Sequence, residues 1–211
     1  MNEEALRAAL VEWARSMFER GYSSGGAGNI SAKLHDGSFI VTPTNASFGD
    51  LQANRLSKLD AEGNWISGDK PTKEIAMHLV MYRSRLECNA IVHLHSPWLT
   101  ALSCMPNLDR ENCLPPITPY YVMKVGRLPV VEYFPPGDER ISQEIAKLAP
   151  KHNAILLANH GPVVGGKTLR QAFFNAEELE NTARLYLMLL PHGFTTLNES
   201  QVRELERRYP K

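Results

Sequence analysis

Apolar positions recur along the chain in two periods. From Glu4 to Arg20, Leu6, Leu10, Trp13, Met17 and Phe18 share one side at helical spacing, and Gly21 supplies a stop. The pattern then shortens. Ile30 to Leu34 and Ser38 to Thr42 flank the turn signal His35-Asp36-Gly37 and predict a hairpin with His35 solvated in its turn. Leu56 to Leu59 and Asn64 to Ser67 flank Asp60-Ala61-Glu62-Gly63 and predict a second hairpin. A helix is predicted from about Thr72 to Arg85, with Thr72 as its cap and Glu74 in its first turn, where the helix dipole favours a carboxylate. Ile75, Leu79 and Leu86 fall on one face of it, with Met77 and Val80 beside them.

Ala90 to Leu94 is an apolar strand, and Ser96-Pro97 opens a helix to about Ser103. The proline-rich Pro115 to Tyr121 is too short for a linker. Leu128 to Tyr133 is a strand, and a helix starts at Pro135-Pro136-Gly137-Asp138 and ends near Ala149. Asn153 to Ala158 is a buried strand, and Gly161 to Val164 continues the sheet after a break at His160. Leu169 to Leu190 is a long helix with Ala172, Phe173, Ala176, Leu179 and Ala183 as its inner stripe, and a short helix spans about Ser200 to Arg208. Hairpins come first and helices later. No repeat or boundary interrupts the pattern, so residues 1–211 read as one domain, long enough to bury a full core.

Composition narrows the function classes. Lys plus Arg and Asp plus Glu both number 23, which gives no support to a nucleic-acid or membrane-surface role. Cys88, Cys104 and Cys113 lack metal-like spacing and read as reduced thiols, Cys88 as a small core residue. Met1-Asn2-Glu3-Glu4 is acidic and leads into an amphipathic helix, unlike a signal peptide, and no apolar run reaches the ~18 residues a membrane span needs. These features predict a cytoplasmic protein.

Candidate chemistry centres on Ala90-Ile91-Val92-His93-Leu94-His95-Ser96-Pro97. Period-2 geometry points His93 and His95 the same way, so the pair reads either as the polar face of a strand or as two ligands of one divalent metal. Glu74 upstream and His160 in Ala158-Asn159-His160-Gly161 flank predicted element ends and complete a zinc-type donor set of Glu74, His93, His95 and His160. Such a set leaves positions open for a Lewis-acid role, with the glutamate moving a proton. His78, four residues after Glu74, reads as a core residue behind the ligands or a surface partner of Glu74. The glycines of Gly21 to Ser31 let backbone amides approach a ligand, but G-x-G-x-x-G is not met and no strand precedes them. Gly161 to Thr168 satisfies G-x-x-x-x-G-K-[ST], yet Pro162, Val163 and Val164 suit a strand better than a phosphate loop, with Gly165-Gly166 as the turn into the next helix. A nucleotide triphosphatase is rejected on that ground.

Jointly, Gly28-Asn29-Ile30-Ser31, Thr42-Pro43-Thr44, Pro71-x-x-Glu74, His93-x-His95-Ser96-Pro97, Asn159-His160-Gly161 and the Ala172-Phe173 to Glu177-x-Leu179-Glu180 helix resemble the class II aldolase/adducin superfamily. The resemblance implies an α/β fold, an αβα sandwich with a central, largely antiparallel sheet. It implies one zinc ion per subunit, replaceable by other divalent metals, on His93, His95 and His160, with Glu74 as acid/base and as a ligand when no substrate is bound. It further implies a homotetramer with sites between subunits and a small phosphorylated sugar-acid substrate. Phosphate contacts are carried over to Gly28, Asn29, Thr44, Asn45, Thr72 and Lys73, where Asn45 stands for the usual Gly and Thr72-Lys73 for a serine pair. Those departures look most like the branch that decarboxylates 3-oxo-tetronate 4-phosphates, through the metal-stabilised enediolate of dihydroxyacetone phosphate. Lys73 then recognises phosphate or carboxylate, or is an exposed helix-start lysine. Tyr120 or Tyr121 donates to a neighbouring subunit's site, or packs. Aldolase, 4-epimerase and non-catalytic adducin-like readings share the same skeleton.

Overall fold

The computed structural model describes residues 2–210. The first amphipathic stretch is α1 (Glu3–Glu19), opened by Asn2 Oδ1 accepting from Ala5 N at 2.9 Å and burying Leu6, Leu10, Ala14 and Met17. Phe18, expected on that face, is 37% exposed and lies against Gly49 instead. β1 (Asn29–Lys33) and β2 (Phe39–Val41) form the first hairpin, with Ser31 opposite Val41. Asp36 closes its turn by accepting from Ser38 N. β3 (Ser57–Leu59) and β4 (Trp65–Ser67) form the second, with a bulge at Lys58/Leu59.

α2 (Ile75–Ser84) starts later than expected. Thr72 does not cap it; the Thr72 hydroxyl accepts from Glu74 N in the turn before the helix. Its inner face is Met77, His78, Met81 and Tyr82 rather than Ile75, Leu79 and Leu86, and Leu86 is 86% exposed beyond its end. β5 (Ala90–His93) and α3 (Pro97–Ser103) follow as expected. A helix not foreseen in the proline-rich stretch, α4 (Pro119–Lys124), starts where Thr118 Oγ1 accepts from Tyr121 N and Pro119 takes the first turn, a position that needs no amide hydrogen. β6 (Val130–Val131), α5 (Glu139–Leu148), β7 (Ala154–Leu157), β8 (Gly161–Gly166), α6 (Leu169–Leu189) and α7 (Glu199–Arg208) complete the chain.

Among the described residues, eight strands form one sheet in the order β4-β3-β2-β1-β5-β8-β7-β6, antiparallel throughout except for β6 beside β7. The central strands are buried on both faces. Val92 and Val164 face one core with Leu10 and Phe173, under α1, α3, α4 and α6; Ile91 and Val163 face the other with Met81 and Ile145, under α2 and α5. The architecture is therefore the expected αβα sandwich. Gly165 and Gly166 belong to β8 and are not a turn, being paired with Ile91 and Ala90. A side chain on Gly166 would lie 2.4 Å from Ala172 N, so this glycine lets α6 pack directly on the strand, while one on Gly165 would lie 3.0 Å from Cys88 Sγ on the opposite face. β8 is extended and paired on both sides, and its amides do not wrap a phosphate.

Candidate metal centre

Three chain segments meet at one end of the central strands. His93 ends β5, opposite Asn29 of β1 on one side and Val163 of β8 on the other. His95 follows two residues on, just before Ser96 opens α3. His160 sits in the turn between β7 and β8, and Glu74 occupies the N-cap position of α2 without making a capping bond. The backbone here tolerates no bulk. Gly28 has φ +84°, and a Cβ there would stand 2.7 Å from the His93 carbonyl oxygen. Asn159 adopts φ 54°, a left-handed conformation that asparagine accepts more readily than most residues, and so turns the chain into His160.

The imidazoles converge through one type of atom. His95 Nε2 lies 3.1 Å from His93 Nε2 and 3.0 Å from His160 Nε2. Glu74 Oε2 is 3.6 Å from His93 Nε2, and Glu74 Oε1 is 3.5 Å from His160 Nε2. Glu74, His93 and His160 are buried, and His95 is the most open of the four. His93 Nδ1 donates to the Pro162 carbonyl at 2.9 Å, which leaves Nε2 as the free lone pair when the ring is neutral. Burial holds all three rings below their ordinary protonation range, most strongly His93, and mutual repulsion among the rings adds to this for His93 and His95. Glu74 opposes the shift at His95 and His160, while Lys73 reinforces it at His160.

This donor set fits a divalent cation. Zinc–nitrogen bonds of about 2.0–2.1 Å in tetrahedral geometry separate the nitrogens by ~3.3 Å, close to the spacing seen here. Uncharged imidazole nitrogens in contact have no better common partner than a cation.

Surrounding groups hold the candidate ligands in place. Glu180 of α6 accepts from Ser96 Oγ, Trp98 N and Leu99 N at 2.6, 2.7 and 2.9 Å, so a buried carboxylate fastens the start of α3 directly after His95. Ser103 Oγ accepts from His160 N, and Thr100 Oγ1 donates to the His160 carbonyl. Asn29 sits between Glu74 and His78: its Nδ2 donates to Glu74 Oε2 at 2.8 Å and its Oδ1 is 2.6 Å from His78 Nε2. His78 is thus a core residue behind the candidate ligands, not a surface partner of Glu74. The roles of Glu180, Ser103 and Ser31 (2.7 Å from His78 Nδ1) escaped the sequence reading, although Ser31 and Glu180 lie in the motifs that carried the resemblance.

The residues expected to bind phosphate are more dispersed. Thr44 and Asn45 line an open cleft of about 400 Å³ with Ser47, Arg55 and Lys70. Asn45 keeps the left-handed backbone, at φ 55°, that a glycine would supply. Lys73 is exposed and lines a small pocket with Glu74, Gly137 and Asp138, while Thr72 is buried. Gly28 abuts the His93 carbonyl, and the Asn29 side chain is engaged as described. Tyr121 is buried and donates to Asn112 Oδ1 at 3.0 Å, which makes it a packing residue; Tyr120 is 60% exposed.

Residues 8–187 match the family described as Class II Aldolase and Adducin N-terminal domain. The chain is 52% identical over 204 residues to "3-oxo-tetronate 4-phosphate decarboxylase" of Pectobacterium atrosepticum, covering 97% of this chain and 94% of that one. It is 50% identical over 208 residues to the protein of the same name from Haemophilus influenzae, covering 99% of both. Among solved structures, YgbL from Klebsiella pneumoniae superposes with a TM-score of 0.95 at 54% identity, over 97% of this chain and 99% of that one. An L-fuculose 1-phosphate aldolase superposes with a TM-score of 0.87 at 27% identity, over 97% and 96%.

Proposed function

This chain belongs to the class II aldolase and adducin family, and we propose that it is a zinc-dependent carboxy-lyase that converts a 3-oxo-tetronate 4-phosphate into dihydroxyacetone phosphate and CO2. The observation that carries this reading is the meeting of His93, His95 and His160 Nε2 beside Glu74 in a chain so similar to proteins named for that reaction. We assign the metal to the three imidazoles. When bound, the cation supplies Lewis acidity for the ketone and adjacent hydroxyl oxygens of the substrate.

The protein's own groups do the rest. The substrate is a β-keto acid: as the bond to its carboxylate breaks, the electron pair stays on the hydroxyl-bearing carbon, which must then gain a proton. Glu74 stands beside the ligand nitrogens and carries that proton. Asn29 holds Glu74 Oε2, leaving Oε1 as the oxygen turned toward His160. Lys73 offers a cation next to Glu74 for an anionic end of the substrate. The cleft of Thr44 and Asn45, with Arg55 and Lys70, is our choice for the phosphate end; Gly28, against the His93 carbonyl, and the buried Thr72 do not line it. A homotetramer is part of the proposal, supported by the apolar Trp65 and Ile66, both more than half exposed on edge strand β4. So is a cytoplasmic location, as for a metabolic enzyme.

The fuculose-phosphate aldolase relationship supports a second reading, cleavage of a ketose phosphate by the same site. A non-catalytic module has less in its favour, because the complete donor set is retained. The deciding experiment incubates metal-loaded protein with D- and L-3-oxo-tetronate 4-phosphate and measures dihydroxyacetone phosphate. Product formation is expected. Absence of product, with cleavage of a ketose phosphate by the same preparation, overturns the decarboxylase reading in favour of the aldolase.

A further inference from the structure

Behind Glu74 runs a row of buried polar side chains that the proton transfer itself does not use. From Glu74 Oε2 the row passes to Asn29 Nδ2 at 2.8 Å, from Asn29 Oδ1 to His78 Nε2 at 2.6 Å, from His78 Nδ1 to Ser31 Oγ at 2.7 Å, and from Ser31 Oγ to Tyr82 Oη at 2.8 Å. Asn29 and Tyr82 are 4% exposed, and Ser31 and His78 are fully enclosed. They lie where α2 packs on β1, a place apolar side chains would fill at no desolvation cost. Each polar atom in the row is nevertheless bonded.

The direction of every bond follows from the end at Glu74. An ionised carboxylate only accepts, so the Asn29 amide turns its NH2 to Glu74 and its Oδ1 to His78. His78 Nε2 must then carry a hydrogen. Burial keeps this ring neutral, pulling its protonation down to about 3, so Nδ1 is bare and accepts from the Ser31 hydroxyl. The single hydrogen of Ser31 is thereby spent, and its oxygen accepts from Tyr82. Four donors stand head to tail, all directed at one carboxylate oxygen.

We propose that His78, backed by Ser31 and Tyr82, is a positioning residue for Glu74: it locks the Asn29 amide with its N–H toward the carboxylate, tethers Oε2, and so reserves Oε1 for the travelling proton. This rests on the acid/base reading of Glu74 given above. Without the His78 donor the Asn29 amide is free to turn over, which would set two oxygens against each other and release the carboxylate toward the neighbouring imidazoles.

Two measurements test this. In the metal-free protein, nitrogen-15 spectra of the ring should show His78 as the Nε2–H tautomer between about pH 5 and 8; an Nδ1–H tautomer or an imidazolium overturns the proposal whatever the enzyme does. In the loaded protein, His78→Leu should lower kcat about 10–100-fold, the usual effect of removing a group that orients a metal-site residue, with KM and metal content near the parent values. His78→Gln, whose amide can donate to Asn29 Oδ1, should recover most of that loss. Equal loss in both variants, or none in either, refutes the positioning role. Should His78→Leu fail to fold, Ser31→Ala and Tyr82→Phe preserve packing and are expected to lower kcat in that order, and unchanged kcat in both counts against the row. If the parent enzyme makes no product, the functional reading fails while the tautomer measurement still judges the row.

Discussion

Glu74 stands at a helix start yet spends neither carboxylate oxygen on the helix, because the Thr72 hydroxyl takes up its amide hydrogen and α2 begins one residue later. That arrangement leaves the carboxylate available for proton transfer. Glu74→Gln should therefore keep the fold and the metal but lose about 10²–10⁴-fold in turnover, whereas His95→Ala should lose the metal itself; metal analysis beside steady-state kinetics separates the two. Turnover of Glu74→Gln at the parent rate would remove its assigned role. His78 gives a second expectation at this scale. Its folded-state protonation, pulled to about 3 by burial, lies below the ordinary value of 6.5. The unfolded chain thus binds more protons, and the stability this ring contributes is present above pH 6.5 and lost as pH falls toward 3, by at most about 1.4 kcal/mol per pH unit. Urea unfolding between pH 6 and 4 should show a shallower loss for His78→Gln than for the parent; identical slopes would mean that the ring does not titrate as its burial requires.

Among elements, α3 shows how a helix positions a candidate ligand outside itself. Its first-turn amides at Trp98 and Leu99, which have no partner within the helix, and the buried Ser96 hydroxyl all end on Glu180, some 80 residues away in sequence on α6. Glu180→Ala should cost about 1–3 kcal/mol by leaving these donors unsatisfied and should loosen metal binding through His95; an unchanged urea midpoint would contradict this. Elements whose signal is local were legible in the sequence: the Asp36-Gly37 turn, the alternation that aligns His93 with His95, and the small-residue stripe of α6. What the sequence hid depends on distant partners. Thr72 looked like a cap because only tertiary packing decides where α2 begins. Gly165 and Gly166 looked like a turn because nothing local reveals that Cys88 and Met81 crowd the first and Ala172 the second. Pro119 hid α4, since a proline reads as a breaker unless the Thr118 cap before it is recognised. The same holds within the site: the four candidate donors named from the sequence do lie together, but the bonds from Asn29 to Glu74 and from Ser31 to His78 span strands and helices that only the folded sheet brings together.

For the molecule as a whole, the sheet has one weak margin. β4 lies at its edge with Trp65 and Ile66 uncovered, while β1, β5, β8 and β7 are enclosed by helices on both faces. If the proposed homotetramer uses that margin, Ile66→Asp should shift the sedimenting species toward smaller assemblies without altering the far-ultraviolet spectrum; an unchanged distribution would place the interface elsewhere. The order of the central strands has a further consequence, for biosynthesis. A ribosome releases Glu74, His93 and His95 long before His160, and the last imidazole is seated only when β8 slots between β5 and β7. A nascent polypeptide halted short of that strand would offer an ion two nitrogens and let it go again. If the ion binds as proposed, capture therefore reports on synthesis through β8: products truncated before Gly161 should stay metal-free, whereas chains that extend past Gly166 should retain the ion through gel filtration.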